Sequence, residues 1–419
     1  ARKMKDSGIE WIGEIPEGWE VSQLKYATRW KSEKGCPDAP VLSLYRDFGV
    51  VPKDSRDDNH NVTSLDTSNY KVVDIGDLVI NKMKAWQGSM AVSDYRGIVS
   101  PAYHVCSITS NKVNKRYLHH LLRNPAYLPE YARLSTGMRI GQWDLGFDDF
   151  KNIPFLVPPL DEQAKIADYL DNGCASLDAM LSKTRSSIEE YKKLKQAVIT
   201  QAVTKGVRGE REMKDSGVEW IGEIPANWTI QRFARVAEVK SNLVSPDNYL
   251  EYPQISPENI EKDSGKLLLP CRTVAEVGVI SGNHLFYKGQ ILYSKIRPKL
   301  NKVCIAPFDG LCSADMYPIE SKNDTRYIMY CILSNGFLQQ VSMITENRVK
   351  MPKSNQVELS KVLVAIPETI AEQKEIADYL DAKCAEIDKL IAKKEQLVKE
   401  LESYKKSLIY EVVTGKREV

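Results

Sequence analysis

The chain has 419 residues, 42% of them hydrophobic, with 58 basic and 56 acidic side chains and a net charge of +2. A single core seldom grows much past about 250 residues, so more than one domain is expected. The near balance of charge excludes a polycationic coat protein and an acidic tail protein, which leaves any charged surface local.

Taken in chain order, the first recognisable stretch is MKDSGIEWIGEIPEGW, Met4 to Trp19. Its Trp11 and Trp19 flank Pro16, a composition that suits an entry segment packed on a core better than a base-stacking surface. Short segments rich in Val, Ile, Tyr, Gly and Pro follow, the texture of strands and turns. Among them GDLVINKMKAWQG, Gly76 to Gly88, runs from a glycine turn through an apolar strand into Lys82 and Lys84, with no acid between Asp77 and Asp94. Thr136 to Arg139 and Gln142 lie in a second stretch without acids, between Glu130 and Asp144. Lysines suit phosphates, and arginine and glutamine suit guanine and adenine edges in a major groove. After Pro158 and Pro159 a helix is expected, capped by Asp161 and ending near Gly206. Along it Leu170, Cys174, Leu177, Leu181, Ile188, Tyr191 and Val198 step by threes and fours, a seam of about 3.5 residues.

Everything then repeats. MKDSGVEWIGEIPANW, Met213 to Trp228 with Trp220 inside it, lies 209 residues after the first copy, and IADYLD at Ile166 and at Ile376 are 210 apart. GQILYSKIRPKLNK, Gly289 to Lys302, carries Lys295, Arg297, Lys299 and Lys302 in a span without acids from Glu276 to Asp309. Thr345 to Arg348 repeats the T-x-x-R of Thr136 to Arg139, followed by Lys350, Lys353 and Gln356 before Glu358. A second helix is expected after Pro367, with Thr369 and Glu372 at capping-box spacing, the seam Leu380, Cys384, Ile387, Ile391, Val398, Leu401 and Leu408, and an end near Gly415. A period this long means domain-sized modules rather than solenoid repeats. The expected architecture is α+β: two similar globular α/β modules, residues 1–157 and 207–366, and two long helices, 158–206 and 367–419. The helices would pair antiparallel as a coiled coil, each about 60 to 65 Å long, and hold the modules at a set spacing like a ruler.

Catalytic chemistry is hard to find. The eight cysteines show no C-x-x-C and read as reduced thiols. There is no phosphate-binding G-x-x-x-x-G-K-[ST], no H-E-x-x-H and no G-x-S-x-G. The run Asn124, Pro125, Ala126, Tyr127 only approaches the N-P-P-aromatic loop of amino-methyltransferases, and no glycine-rich partner accompanies it. No metal-ligand cluster is visible and no segment approaches the roughly 20 apolar residues of a membrane span, so a cytoplasmic binding protein without metal or cofactor is expected.

Three elements, MKDSGIEWIGEIPEGW, GQILYSKIRP and PPLDEQAKIADYLD, recur in duplicate order over essentially the whole chain. In this the sequence resembles the specificity subunit of bacterial Type I restriction-modification systems. The resemblance implies two target recognition domains, each reading one half of a split asymmetric DNA sequence, separated by spacer helices. It also implies a non-catalytic scaffold for two methyltransferase subunits that use S-adenosylmethionine, with restriction subunits that use ATP and Mg2+. The second helix entry, Pro367 to Gln373, departs from PPLDEQ at Pro158 to Gln163 by one inserted residue and one lost proline. Base-reading residues do not carry over from the family. The DNA-contact candidates Lys82, Lys84, Arg139, Gln142, Lys295, Arg297, Lys299, Arg348, Lys350 and Lys353 therefore rest on charge pattern alone. A free-standing DNA-binding regulator and a purely structural coiled-coil adaptor are the rival readings.

Overall fold

The computed structural model describes residues 2–46, 48–55, 66–139, 142–346 and 352–419, with the side chains of Met138, Arg139 and Gln142 outside that description. It divides into two compact units, residues 1–184 with 396–419, and residues 185–395. The divisions fall inside two long helices, Leu160–Lys205 and Ile370–Val413. Each unit thus contains one globular module, the start of the helix that follows it and the end of the other long helix.

Both modules are built on the same four-stranded antiparallel sheet. In the first unit the order is Thr28–Lys31, Tyr103–Ile108, Leu78–Asn81, Met90–Val92. In the second it is Ala237–Val239, Met316–Ser321, Ile291–Ser294, Val303–Ile305. Alternate residues of the third strand serve opposite faces, as the twofold period of a strand requires. Leu78 and Ile80 enter a core with Tyr117, Leu118 and Leu121, whereas Val79 joins Leu42, Val99 and Val105 on the other side. Ile291 and Tyr293 likewise enter a core with Tyr327 and Ile328, while Leu292 packs with Cys304, Cys312 and Met316. Apolar runs such as LVIN and ILYS follow from burial on both faces. Each module closes by pairing its entry strand with its exit strand, Glu20–Gln23 with Pro154–Val157 and Thr229–Arg232 with Leu363–Ile366.

The long helices run antiparallel within each unit. Leu170 and Leu177 share a core with Leu408, Val412 and Val413, and Lys405 Nζ lies 2.6 Å from Asp178. In the second unit Ile199, Ala202 and Val203 meet Ile376, Leu380 and Cys384. Seam residues Leu181, Ile188 and Ile387 are also buried, while Ile391, Val398 and Leu401 are half-buried. Two expectations need correction. Asp161 sits inside the first turn of its helix rather than capping it. The capping box at the second helix is half formed: the Glu372 amide donates to Thr369 Oγ1 at 3.2 Å, but the Glu372 carboxylate is engaged elsewhere. Beside the seam, Lys195 is buried and donates to both oxygens of Asp388 at 2.9 and 3.0 Å.

The duplicated entry segment explains where Glu372 goes. Trp19 and Trp228 are fully buried, and their indole N–H groups donate to Glu162 at 3.0 Å and to Glu372 at 3.2 Å, in the first turns of the two long helices. Arg2 and Arg211 lie over the indole rings and pair with the same carboxylates. Each indole also meets a helix-ending glycine in the left-handed region, Gly415 against Trp19 and Gly206 against Trp228. A Cβ at Gly415 would lie 2.4 Å from Pro16 and 3.0 Å from Trp19, so glycine serves both backbone and packing there. Tyrosines repeat the theme: Tyr117 Oη donates to the Leu156 and Val413 carbonyls, and Tyr327 Oη to those of Ala365 and Val203. In each unit, therefore, the anchor ties the end of one long helix to the start of the other.

Candidate nucleic-acid interface

The central strand of each sheet leads directly into a basic loop. In the first module Leu78–Asn81 passes into Lys82, Met83 and Lys84, then a 3-10 turn Ala85–Gln87 ending at Gly88 with φ +80°. In the second, Ile291–Ser294 passes into Lys295, Ile296 and Arg297, then a 3-10 turn Pro298–Leu300 ending at Asn301 with φ +43°. Asn301 tolerates that conformation while its buried side chain donates to the Leu333 carbonyl at 3.1 Å. Arg297 also lies in the left-handed region, at φ +46°, an uncommon state for a side chain of its size and one that recurs at ligand-binding loops.

Two stretches that are distant in sequence meet on this loop. The Leu145 amide donates to the Lys82 carbonyl at 3.0 Å, Lys82 Nζ lies 3.2 Å from Asp144, and Trp86 meets Trp143 edge-on with ring centroids 5.1 Å apart. The second module repeats the first of these bonds, the Ser354 amide donating to the Lys295 carbonyl at 2.9 Å, and adds one of its own, from the Arg297 amide to the Pro352 carbonyl at 2.9 Å. Lys82 and Lys295 each donate from their own amide to the residue just before the neighbouring strand, Ala102 and Asp315. Lys82 thus lies beside the hairpin Thr136–Arg139 and Gln142–Asp144, with Lys84 two residues on, and the stretch Lys295 to Arg297 lies beside Pro352 to Ser354, with Lys299 two residues on. The side chains of Arg139 and Gln142, and Arg348 and Lys350 altogether, lie outside the described residues.

The charge pattern is less one-sided in space than along the chain. Asp144 faces Lys82, and Asp315 lies 2.8 Å from Lys353, so stretches without acids in sequence acquire them by folding. Lys84, Arg297 and Lys299 are exposed, with no carboxylate partner among the described residues. Lys295 stands 5.0 Å over the Tyr317 ring. Lys71 packs against Trp30 and donates to the Tyr103 carbonyl, and burial pushes its ammonium below the usual lysine range. Thr136 begins a strand whereas Thr345 ends the helix Asn335–Thr345, so the repeated T-x-x-R does not mark the same element. Sequence reading missed Trp86, Trp143, Asp144, Asp315 and Tyr317. Asp144 and Lys353 are 209 residues apart, the spacing of the entry segments, and that coincidence was the available clue.

Outside these loops nothing resembles a catalytic centre among the described residues. No cluster of His, Cys, Asp or Glu is arranged to hold a metal, and no helix is long and apolar enough to cross a membrane. Asn124, fully buried, accepts from the Ala126 amide to close a short turn, which accounts for its place beside Pro125 without any reaction. The cysteines are free thiols, and burial pushes those of Cys106, Cys304 and Cys331 up to about 12, beyond the range of reactive nucleophiles.

Two like modules and two long helices, each module with a basic loop frame, define a duplicated architecture. Comparison with known proteins identifies its kind. The family model described as Type I restriction modification DNA specificity domain matches residues 16–190 and again 225–400. The chain is 35% identical over 308 residues to the EcoDI Type I restriction enzyme specificity subunit of Escherichia coli, covering 70% of this chain and 68% of that one. It is 24% identical over 438 residues to the putative MjaX specificity subunit of Methanocaldococcus jannaschii, covering 97% and 95%. The fold matches a chain solved in work on complex assembly and conformational transition of the type I R-M system, with TM-score 0.70, 14% identity and 96% and 99% of the two chains covered. It also matches the HsdS subunit from Thermoanaerobacter tengcongensis, with TM-score 0.52, 15% identity and coverage of 96% and 98%. The chain belongs to the Type I restriction-modification DNA specificity family, as a non-catalytic recognition subunit.

Proposed function

We propose that each globular module presents its basic loop frame to one half of a split, asymmetric double-stranded DNA target, and that the paired long helices set the interval between the halves. On this reading residues 1–157 and 207–366 are the two readers, and residues 158–206 and 367–419 are the spacers. Two methyltransferase subunits, using S-adenosylmethionine, dock on this scaffold in the cytoplasm, and restriction subunits that use ATP and Mg2+ can join them. The subunit itself holds no cofactor. The observation that carries the reading is the recurrence of one backbone frame, strand to basic loop to 3-10 turn, that brings exposed Lys84 forward in one module and exposed Arg297 and Lys299 in the other. Cations without carboxylate partners can displace counterions from phosphates and reach base edges.

The test is DNA binding by the complex with its methyltransferase subunits, measured as a function of salt. Arg297→Ala should weaken binding to the specific target about tenfold or more, and Lys84→Ala should lower the slope of log affinity against log salt by about one. Binding unchanged in both variants would move the DNA face elsewhere.

A further inference from the structure

The two loop frames share several backbone hydrogen bonds although they differ at Lys84 and Arg297, whose amides donate to Asn81 and to Pro352, and the shared bonds allow side chains to be compared at corresponding positions. Lys82 and Lys295 correspond because each accepts from the later segment and donates to the residue just before the neighbouring strand in the same way. From that register Trp86 corresponds to Lys299, and, because Leu145 and Ser354 make the equivalent bond, Asp144 corresponds to Lys353. The frame is shared while the chemistry at its tip is reversed. Asp144 is an anion with one oxygen 3.2 Å from Lys82 and the other enclosed without a hydrogen-bond partner among the described residues. The Trp86 indole N–H beside it is also enclosed without a partner. The Asp144 side chain as a whole is 48% exposed, so its carboxylate can be approached from solvent. Lys353 is a half-exposed cation whose carboxylate partner, Asp315, comes from the turn just before the strand Met316–Ser321.

We propose that Asp144 and Lys353 make the two half-sites differ, Asp144 accepting from the exocyclic amino group of a cytosine or adenine and Lys353 donating to the O6/N7 edge of a guanine. The assignment follows from what each group can do at a base edge: a carboxylate only accepts, and an ammonium only donates. Trp86 packs on Trp143 next to Asp144 and offers an apolar face, and Lys299 holds the corresponding place in the second loop and offers a further donor. This inference rests on the loop frames being the DNA face, as argued under the proposed function.

The experiment expresses the full chain with its methyltransferase subunits and maps the methylated motif across a genome, followed by binding competition between duplexes that differ at single bases. The variants are Asp144→Asn, which keeps shape and removes charge, Lys353→Met, and Trp86→Phe as a packing control. Asp144→Asn should lose about 10- to 100-fold discrimination at one base pair of one half-site and leave the other half-site unchanged. Lys353→Met should do the same in the opposite half-site. Trp86→Phe should keep the first half-site's motif. A variant that keeps full discrimination overturns the assignment of its residue, and one that weakens binding equally at all sequences shows a backbone or structural role, which also overturns it. If the unaltered complex methylates no split motif, the DNA-reading function itself fails, an outcome distinct from either of these.

Discussion

At the scale of single residues, the duplicated entry segment is a fastening, with Trp19 and Trp228 buried against the starts of the long helices. Glu372 is almost fully buried, with Arg211 and the Trp228 indole as its partners, whereas Glu162 and Arg2 retain 20% and 29% exposure. Breaking a buried ion pair from one side leaves an uncompensated charge, so Glu372→Ala should cost about 3 kcal/mol, and Glu162→Ala nearer ~1 kcal/mol because water screens its pair. Denaturant titration of the two variants checks the ranking, and equal losses would contradict it. His119 offers a second residue-scale test. The Val92 amide donates to its Nδ1 at 3.2 Å, and burial lowers its pKa to about 3. Between about pH 6.5, where an unfolded histidine takes up a proton, and pH 3, the unfolded state binds more protons than the folded one. Stability contributed by the neutral imidazole is therefore present above pH 6.5 and is lost as pH falls, by up to about 1.4 kcal/mol per pH unit. His119→Asn should flatten the pH dependence of unfolding between pH 7 and 5, and an unaltered slope would reject the linkage.

At the scale of elements, the long helices show what a sequence seam does and does not specify. Regular spacing from Leu170 to Val198 and from Leu380 to Leu408 announces two helices that need each other, since one helix cannot bury such a stripe alone. The depth of burial varies along it, from nothing exposed at Leu170 and Leu380 to half-buried at Ile391. Leu380→Ala should cost about 3 kcal/mol because its cavity is closed in by the core of the second module, and Ile391→Ala about 1 kcal/mol. Thermal unfolding of both variants measures the difference. Capping was the least legible detail: Asp161 and Glu372 have the right spacing for caps, but their geometry is set by tertiary partners. The Glu372 carboxylate is taken by Arg211 and Trp228, and no local pattern reveals a partner about 150 residues away.

At the scale of the whole molecule, duplication predicts modular specificity. Exchanging residues 20–155 for the corresponding stretch of another family member should change one half of the methylated motif and leave the other intact, which genome methylation mapping would show; alteration of both halves would mean that the modules do not read independently. Length, the repeat spacing and the two seams were enough to determine two modules and two antiparallel helices, because those features follow from local periodicity and from copy number. Only the tertiary structure decided three other things. It placed Asp144 beside Lys82 and Asp315 beside Lys353, and so removed the impression of surfaces without acids. It turned the two tryptophan segments into ties between the end of one helix and the start of the other. And it showed Asp144 and Lys353 at one position of a common frame. The physical reason is the same each time: charge pairing, indole hydrogen bonding and loop register depend on groups brought together across tens to hundreds of residues, and sequence periodicity reports only on neighbours within a few turns.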